Sequence, residues 1–328
     1  MARRGAAGRR RAPAGYVHLT KTKSPRGKKS PDREMEPVVE FWLRAELRRV
    51  LRGVYKRHDE ELALPHPRNV TRATLLGVDA DRGSWLVAPK IDGRRALLVR
   101  ARVFGEEFVV DIDRRLAATQ LFRAEASASA RVDAQAEVRV VVDAELCDGA
   151  YHAHDVFVLG GVQTHAIRFA TRLDLVDEAI AELGVPGVVP KRFVPLGSEI
   201  ERSAAASDGL ILSHAGASAT FGSDPWVLKW KPTCRCTVDL LVERKRCGAH
   251  FSRRATARTS NGRRALAEYD ASEFAGTLPC VFEFAMREGR WVPVHRREDK
   301  ATANTDFVVE QTVVAINEAI GIHEIVGP

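Results

Sequence analysis

The chain has 328 residues, of which 45% are hydrophobic and 29% are charged, a composition typical of a globular protein long enough for two domains. Its formal net charge of +8 is concentrated at the N-terminus: residues 1–35 carry eleven Lys or Arg and two acidic residues, which leaves 40 basic and 41 acidic residues elsewhere. No apolar run reaches the roughly 20 residues of a membrane span, and the N-terminus lacks the apolar core of a signal peptide. An intracellular protein without a membrane segment is therefore expected.

Residues 1–36 are expected to form a disordered basic tail. They contain few large apolar residues, so burial cannot offset the entropy lost on ordering. A tail of this charge suits a tether for RNA or another polyanion, or a nuclear-import signal; the alternative is a solubilising extension.

Residues 37–233 are predicted to form an α+β domain. Apolar residues at helical spacing from Val39 to Val54 predict an amphipathic helix, and a second helix is predicted over Thr171–Leu183. Hairpins mixed with isolated helices indicate a domain built on antiparallel sheets. The strand-like runs are Ser84–Pro89, Ala96–Val103, Phe108–Ile112, Val138–Leu146, Val156–Leu159, Gly209–Ser213 and Val227–Trp230.

A second domain is predicted over residues 234–306, with a boundary near Thr233. Its strand-like runs are short, and a small barrel is the natural closure for short strands. Residues 307–328 follow as a C-terminal helical segment, with the helix itself predicted over Phe307–Ile320. The short runs are Val238–Val242, Val281–Phe284 and Trp291–Val294.

Five cysteines, an odd number, argue against a disulfide scaffold and for a reducing compartment. Cys234, Cys236, Cys247 and His250 form a group that could bind zinc. Because its spacing fits none of the common structural zinc patterns, packed or idle thiols are the favoured interpretation.

Lys90 is the strongest candidate for a reactive residue. It ends an apolar strand and directly precedes Ile91-Asp92-Gly93, a turn that leads into the next strand. A lysine crowded by other cations and partly desolvated loses its proton more readily, and the free amine can attack phosphorus. An exposed hairpin with a solvated lysine is the alternative for this segment alone.

Other charged residues stand at the ends of predicted strands. Glu145 lies near the end of one, Asp208 precedes another, and Lys229 and Lys231 close a third. Strand alternation points Lys229 and Lys231 to the same face, where two like charges about 7 Å apart cost energy unless an anion lies between them. Taken singly, each has a simpler interpretation: a solvated carboxylate at a strand end, or a pair of lysines that faces water. Their joint occurrence in this order is the informative feature.

The order of these motifs resembles the covalent nucleotidyltransferase superfamily, which contains mRNA capping enzymes and ATP-dependent ligases, over roughly residues 65–320. The Leu-Lys-Trp-Lys-Pro form, followed by Thr237-Val238-Asp239, is similar to the guanylyltransferase version. Ala144, His154 and Ala303 depart from the family pattern, where glycine, an aromatic residue and often proline stand. The matching segments are Lys90–Arg95, Asp143–Leu146, Tyr151–Leu159, Asp208–Ile211, Leu228–Pro232 and Arg297–Lys300, with Trp291 and Asn304 beside the last.

The resemblance implies a nucleotidyltransferase domain of the ligase or capping type, followed by an OB-fold β-barrel. It also implies an mRNA guanylyltransferase reaction: Lys90 attacks the α-phosphorus of GTP, pyrophosphate leaves, and the 5′-diphosphate end of an RNA then takes the GMP as a GpppRNA cap. Catalysis of such transfers rests on positioning and charge neutralisation.

The resemblance also assigns the site. Glu145 and Asp208 are the expected ligands of Mg²⁺ or Mn²⁺, because phosphate-bound metals prefer hard oxygen ligands. Arg95 and Glu145 are expected at the ribose and its phosphate, His154 at the base, and Arg297 and Lys300 at the β,γ-phosphates. The nucleotide-binding set is thus Arg95, Glu145, His154, Lys229, Lys231, Arg297 and Lys300.

A capping reaction implies partners and a compartment. No segment for an RNA triphosphatase or a cap methyltransferase is evident, so separate proteins are expected for those steps, in a nucleus or in a cytoplasmic viral factory. Two alternatives stay open: an ATP-dependent polynucleotide ligase with a lysyl-AMP intermediate, and a non-catalytic RNA-binding scaffold of the same fold.

Overall fold

A computed structural model describes residues 37–50, 64–113, 118–124, 136–198, 207–247, 250–262, 265–274, 278–298, 300 and 302–327. These residues all lie in one compact unit, Glu34–Pro328. The predicted basic tail lies outside the described residues. Among the described helices, none is both long and apolar enough to cross a membrane.

The described chain contains six α-helices and seventeen strands. The helices are α1 Pro37–Val50, α2 Arg72–Ala80, α3 Phe169–Asp174, α4 Val176–Leu183, α5 Asp306–Glu318 and α6 Ile322–Val326. The first eight strands are β1 Pro65–Asn69, β2 Trp85–Pro89, β3 Arg94–Val103, β4 Glu106–Ile112, β5 Ala118–Ala124, β6 Ala136–Cys147, β7 Ala150–Leu159 and β8 Val162–Gln163. The others are β9 Val188–Pro190, β10 Val194–Pro195, β11 Leu210–His214, β12 Gly222–Trp230, β13 Thr237–Cys247, β14 His250–Arg258, β15 Ala267–Asp270, β16 Cys280–Arg287 and β17 Arg290–Arg296.

The first sheet has the strand order β1-β12-β11-β2-β10. Its pairs are antiparallel except for β1 with β12, which is parallel. One face is buried by α2 and by the end of the chain, because Leu75, Ile320 and Ile325 join Val87 and Leu212 in one apolar cluster. Since side chains alternate along a strand, residues 86, 88 and 90 point to the opposite face.

The second sheet has the order β5-β4-β3-β6-β7-β8, with β9 parallel to β7. The apolar stripe of α1 packs on one face, through Val39, Leu43 and Leu47. Helix α4 covers the other face, through Val176 and Leu183. Central strands buried on both faces explain the nearly continuous apolar runs in this part of the sequence.

The third sheet has the order β15-β14-β13-β16-β17 and is antiparallel throughout. Its core contains Leu240, Phe282 and Phe284, and Val309 of α5 packs against them. Among the described residues its edge strands do not pair with each other, so it forms an open half of an OB-type barrel. A 3₁₀ turn, Thr233–Arg235, precedes it.

The predicted α+β class, with sheets carrying the strand-end motifs and a β-rich C-terminal part, is confirmed. The helix predicted over Thr171–Leu183 is two helices, α3 and α4, that meet at Leu175. The C-terminal helical segment is also divided: α5 ends at Ala319, which has a left-handed backbone with φ of 47°, and α6 follows. Two strand pairs are parallel, so the sheets are mixed rather than purely antiparallel.

Candidate active site

Lys90, Asp208 and Lys231 form one ion cluster, called here the Lys90 cluster. Lys90 Nζ lies 2.5 Å from Oδ2 of Asp208, and Lys231 Nζ lies 2.7 Å from the same oxygen. The three side chains are 22%, 14% and 25% exposed, respectively. Burial would raise the pKa of Asp208, but hydrogen bonds from Lys231 and Lys90 outweigh it and lower that pKa. Asp208 is therefore an anion that holds two amines together.

The backbone brings Lys90 and Asp208 together. β2 and β11 are antiparallel, and their pairing continues one residue past each strand: Lys90 N donates to Gly209 O at 2.8 Å, and Asp208 N donates to Lys90 O at 3.1 Å. Gly209 has φ of +132°, and a Cβ there would lie 2.0 Å from Trp230 O. Only glycine fits between β2 and β12 at this point.

The turn after Lys90 also requires a glycine. A Cβ on Gly93 would lie 2.4 Å from Leu146 O and 3.0 Å from Glu145 Cγ. The close approach packs the Lys90 turn against the end of β6, and it brings the Glu145 side chain into contact with that turn. Gly93 therefore allows the turn after β2 of the first sheet to pack closely against β6 of the second sheet.

Arg95 is committed to protein partners. Its Nε donates to Asp143 Oδ1 at 2.8 Å, Nη2 donates to Asp143 Oδ2, and Nη1 donates to Pro65 O at 2.6 Å. Burial alone would raise the pKa of Asp143, but Arg95 and then His154 hold it well below its usual range. The resemblance places Arg95 at the ribose and its phosphate. In the fold, its side chain is 9% exposed and is held by Asp143 and by the backbone of Pro65.

His154 lies beside the same ion pair. Its Nε2 is 3.4 Å from Asp143 Oδ2, and its Nδ1 is 3.4 Å from His152 O. The next residue, Asp155, is buried and accepts hydrogen bonds from Arg172 of α3 at 2.7 and 3.0 Å. Burial raises the pKa of Asp155 despite this arginine. The Asp155 pair anchors the strand that carries His154.

Glu145 and Asp208 fit the predicted metal ligands by the chemistry of their free oxygens. The half-buried Glu145 carboxylate makes no hydrogen bond among the described residues, and both lysines bind Oδ2 of Asp208, so its Oδ1 has none in that part of the chain either. Hard oxygen donors of this kind suit Mg²⁺ or Mn²⁺ bridged to a phosphate. No group of three or more potential ligands occurs in the described part of the chain, so phosphate and water would complete the coordination.

Lys191 is a candidate that sequence reasoning missed. It is half-buried, follows β9, and its N donates to Ala153 O at 2.7 Å, so it lies beside the strand position before His154. Burial lowers the pKa of Lys191 to about 8; Glu145 and Asp143 oppose this shift, and Lys90 adds to it. Only the sheet pairing reveals Lys191, because no motif surrounds it in the sequence.

Lys229 and Lys231 line one small cavity with Asn69, Cys236 and Thr312. Trp230, between the two lysines, also lines this cavity, together with Ile320. It is 8% exposed, belongs to the apolar cluster of the first sheet, and donates from Nε1 to Ile320 O at 2.8 Å. The tryptophan of the Leu-Lys-Trp-Lys-Pro form, which is similar to the guanylyltransferase version, is therefore a core residue in the fold.

Arg297 and Lys300 are brought together on the third sheet. Arg297 Nη1 lies 3.0 Å from Asp239 Oδ1, and Lys300 Nζ contacts Asp239 Oδ2.

Among the candidate zinc ligands, Cys234 is exposed and Cys236 is buried, with Sγ 3.6 Å from Pro232 O. The side chains of Cys247 and His250 lie outside those described.

No protein-family model matches the chain, and no curated protein matches it by sequence. Solved structures that resemble it include a Lig E DNA ligase (14% identity, 71% of this chain and 98% of that one, TM-score 0.33). A mycobacterial DNA ligase D complexed with ATP also matches, with 14% identity over 72% of this chain and 94% of that one and a TM-score of 0.37. The ATP-dependent DNA ligase of bacteriophage T7 complexed with ATP matches with 10% identity over 71% of this chain and 80% of that one and a TM-score of 0.38.

Proposed function

We propose that the chain is a covalent nucleotidyltransferase that carries a nucleoside monophosphate on Lys90 and transfers it to the 5′ end of a polynucleotide. The observation that supports this most directly is the Lys90 cluster: a half-buried amine at a strand end, 2.5 Å from a carboxylate oxygen that a second lysine also binds. A structural ion pair needs one lysine, whereas a second amine on the same oxygen leaves the cluster net positive and suited to phosphate.

The first step balances as follows. Lys90 gives up a proton, with Asp208 at hydrogen-bond distance as the acceptor. The amine then attacks the α-phosphorus, a P–N bond forms, and the P–O bond to pyrophosphate breaks. Lys231 keeps a cation beside Asp208 and the phosphate when Lys90 becomes neutral. A metal ion held by Glu145 and Asp208 would neutralise phosphate charge when bound.

In the second step, a polynucleotide end attacks the phosphorus on Lys90 and the P–N bond breaks. Lys90 recovers its proton as it leaves, and the Asp208 carboxylate can again hold the ammonium. Both steps are phosphoryl transfers, in which the protein positions groups and neutralises charge. The cluster therefore serves as the resting state before the first step and after the second.

Guanylyl transfer from GTP to a 5′-diphosphate RNA is the first specific form of the proposal. Trp230 gives this form little support, because its ring is 8% exposed and packs in the apolar cluster of the first sheet. Lys191 supports GTP instead. It lies beside the strand of His154, the residue expected at the base. A lysine ammonium offers hydrogen-bond donors only. Guanine presents an acceptor, O6, where adenine presents an amino donor. Separate triphosphatase and methyltransferase partners, and a nuclear or viral-factory location, belong to this form.

ATP-dependent polynucleotide ligation is the second form, and it is the activity named for the solved structures that the chain resembles. The same lysine would carry AMP and a phosphorylated strand would accept it. Incubation of the full chain with Mg²⁺ and either α-labelled GTP or α-labelled ATP, followed by a denaturing gel, separates the two. Labelling by GTP supports capping and labelling by ATP supports ligation. Labelling by neither, with RNA still bound, would leave a non-catalytic scaffold.

A further inference from the structure

Asp239 in β13 is a buried carboxylate with two cations on it. The residue is 5% exposed. Its Oδ1 accepts from Arg297 Nη1 at 3.0 Å, and its Oδ2 accepts from Lys300 Nζ. Arg297 also lies 3.6 Å from Oε2 of Glu283, which is on the neighbouring strand β16. One carboxylate therefore fixes the side-chain ends of both cations.

The backbone that carries this carboxylate is held on both sides by Asn304. Asp239 N donates to Asn304 Oδ1 at 2.7 Å, and Asn304 N donates to Asp239 O at 2.7 Å. Arg297 and Lys300 have long side chains that are 21% and 32% exposed, respectively. They can leave Asp239 by side-chain rotation, whereas Asp239 cannot follow them.

We propose that Asp239 is a positioning residue that retains Arg297 and Lys300 on the third sheet until a nucleotide polyphosphate takes them over. The inference rests on the proposed function, together with the expectation from the family resemblance that these two cations orient the β,γ-phosphates. A polyphosphate carries more negative charge than one carboxylate and competes for the same donors. While the polyphosphate holds the cations, Asp239 is buried without a counter-charge. When pyrophosphate leaves, the cations return to Asp239.

This retention lowers the apparent affinity for triphosphate, because only the released fraction of the cations can bind it. Asp239→Asn keeps the shape and an acceptor oxygen but removes the charge that holds the cations. In the full chain, the KM for the labelling nucleotide in the first step should fall by at least about fivefold. If Asp239 has a purely structural role, the variant should label more slowly with an unchanged or higher KM.

Two further variants connect the effect to its cause. In a Lys300→Met background, Asp239→Asn should lower KM much less, because one of the retained cations is already absent. Glu243→Gln removes a different carboxylate of β13, which pairs with Arg258 at 2.8 Å, and should leave KM unchanged. An equal fall of KM in the Lys300→Met background would overturn the proposal.

A binding measurement separates this proposal from the proposed function. Inorganic tripolyphosphate titrated into the full-length protein in a calorimeter should bind Asp239→Asn at least about fivefold more tightly than wild type. If no lysyl-nucleotide forms but this gain is seen, retention by Asp239 stands and the enzymatic proposal fails. If labelling succeeds and Asp239→Asn binds tripolyphosphate no more tightly than wild type, the proposal that Asp239 retains the cations is wrong.

Discussion

Lys90 and Lys231 donate to the same carboxylate oxygen, Oδ2 of Asp208, at 2.5 and 2.7 Å. A nucleophilic amine must leave such an ion pair with a free lone pair. In the proposed function, Asp208 is therefore both the partner of Lys90 at rest and the acceptor of its proton. Lys231 remains to hold Asp208 when Lys90 reacts. The chemistry proposed for the chain depends on this three-residue arrangement.

Asp208→Asn should reduce formation of the lysyl-nucleotide by at least about 100-fold, because the amine loses its proton acceptor and the metal loses a ligand. Initial rates of labelling at saturating nucleotide measure the effect. Glu268→Gln is a suitable control, since it removes another carboxylate that binds a lysine, Lys245, at 2.8 Å on the third sheet. Near-normal labelling by Asp208→Asn would remove Asp208 from the mechanism.

Gly209→Ala should lower the free energy of unfolding by about 3 kcal/mol or more, since the new Cβ would lie 2.0 Å from Trp230 O in a backbone with φ of +132°. Urea denaturation measures it. Gly77→Ala is the matched control: Gly77 lies within α2, nothing lies within 4 Å of its added Cβ, and alanine should stabilise the helix by about 0.5–1 kcal/mol. Equal effects of the two substitutions would show that the close approach at Gly209 is wrong.

Trp230→Phe should leave the preference between GTP and ATP unchanged, because the ring packs in the apolar cluster of the first sheet. It should cost about 1 kcal/mol of stability through the lost hydrogen bond to Ile320 O. Labelling with each nucleotide in competition gives the preference. A tenfold or greater change would make Trp230 a base-reading residue after all.

Lys191→Met should stabilise the protein at pH 7 by about 1–2 kcal/mol, since burial of the charged amine is unfavourable. The pKa of Lys191 is about 8 in the fold, against 10.5 ordinarily. Between these values the unfolded chain binds more protons, so wild-type stability rises with pH through this window. The advantage of the variant, measured by urea denaturation, should therefore shrink toward about pH 10. A constant advantage would mean that Lys191 keeps its ordinary pKa.

Much of the fold was predictable because buried positions recur in the sequence with the period of a helix or a strand. The apolar stripe of α1 and the runs that became β3 and β6 were identified from that period. The break at Leu175 was not predicted, because it depends on how two short helices pack. The strand β14 was not predicted either, because its sequence is rich in arginine.

The candidate site was predictable only in part. Strand-end charges indicated Lys90, Asp208 and Lys231, and antiparallel pairing of β2 with β11 brings the first two together. Lys191 was not predicted, and Asp239 was noted only as part of a motif, because their contacts are with residues far away in sequence. Trp230 misled because a motif letter does not state which face of a strand it occupies.

The most direct test is peptide mapping by mass spectrometry after incubation with nucleotide and Mg²⁺. If Lys90 is the nucleophile, one nucleoside monophosphate should be found on the peptide that contains Lys90, absent in Lys90→Ala and retained in Lys191→Met. An adduct on Lys191, or an adduct that survives Lys90→Ala, would contradict that role.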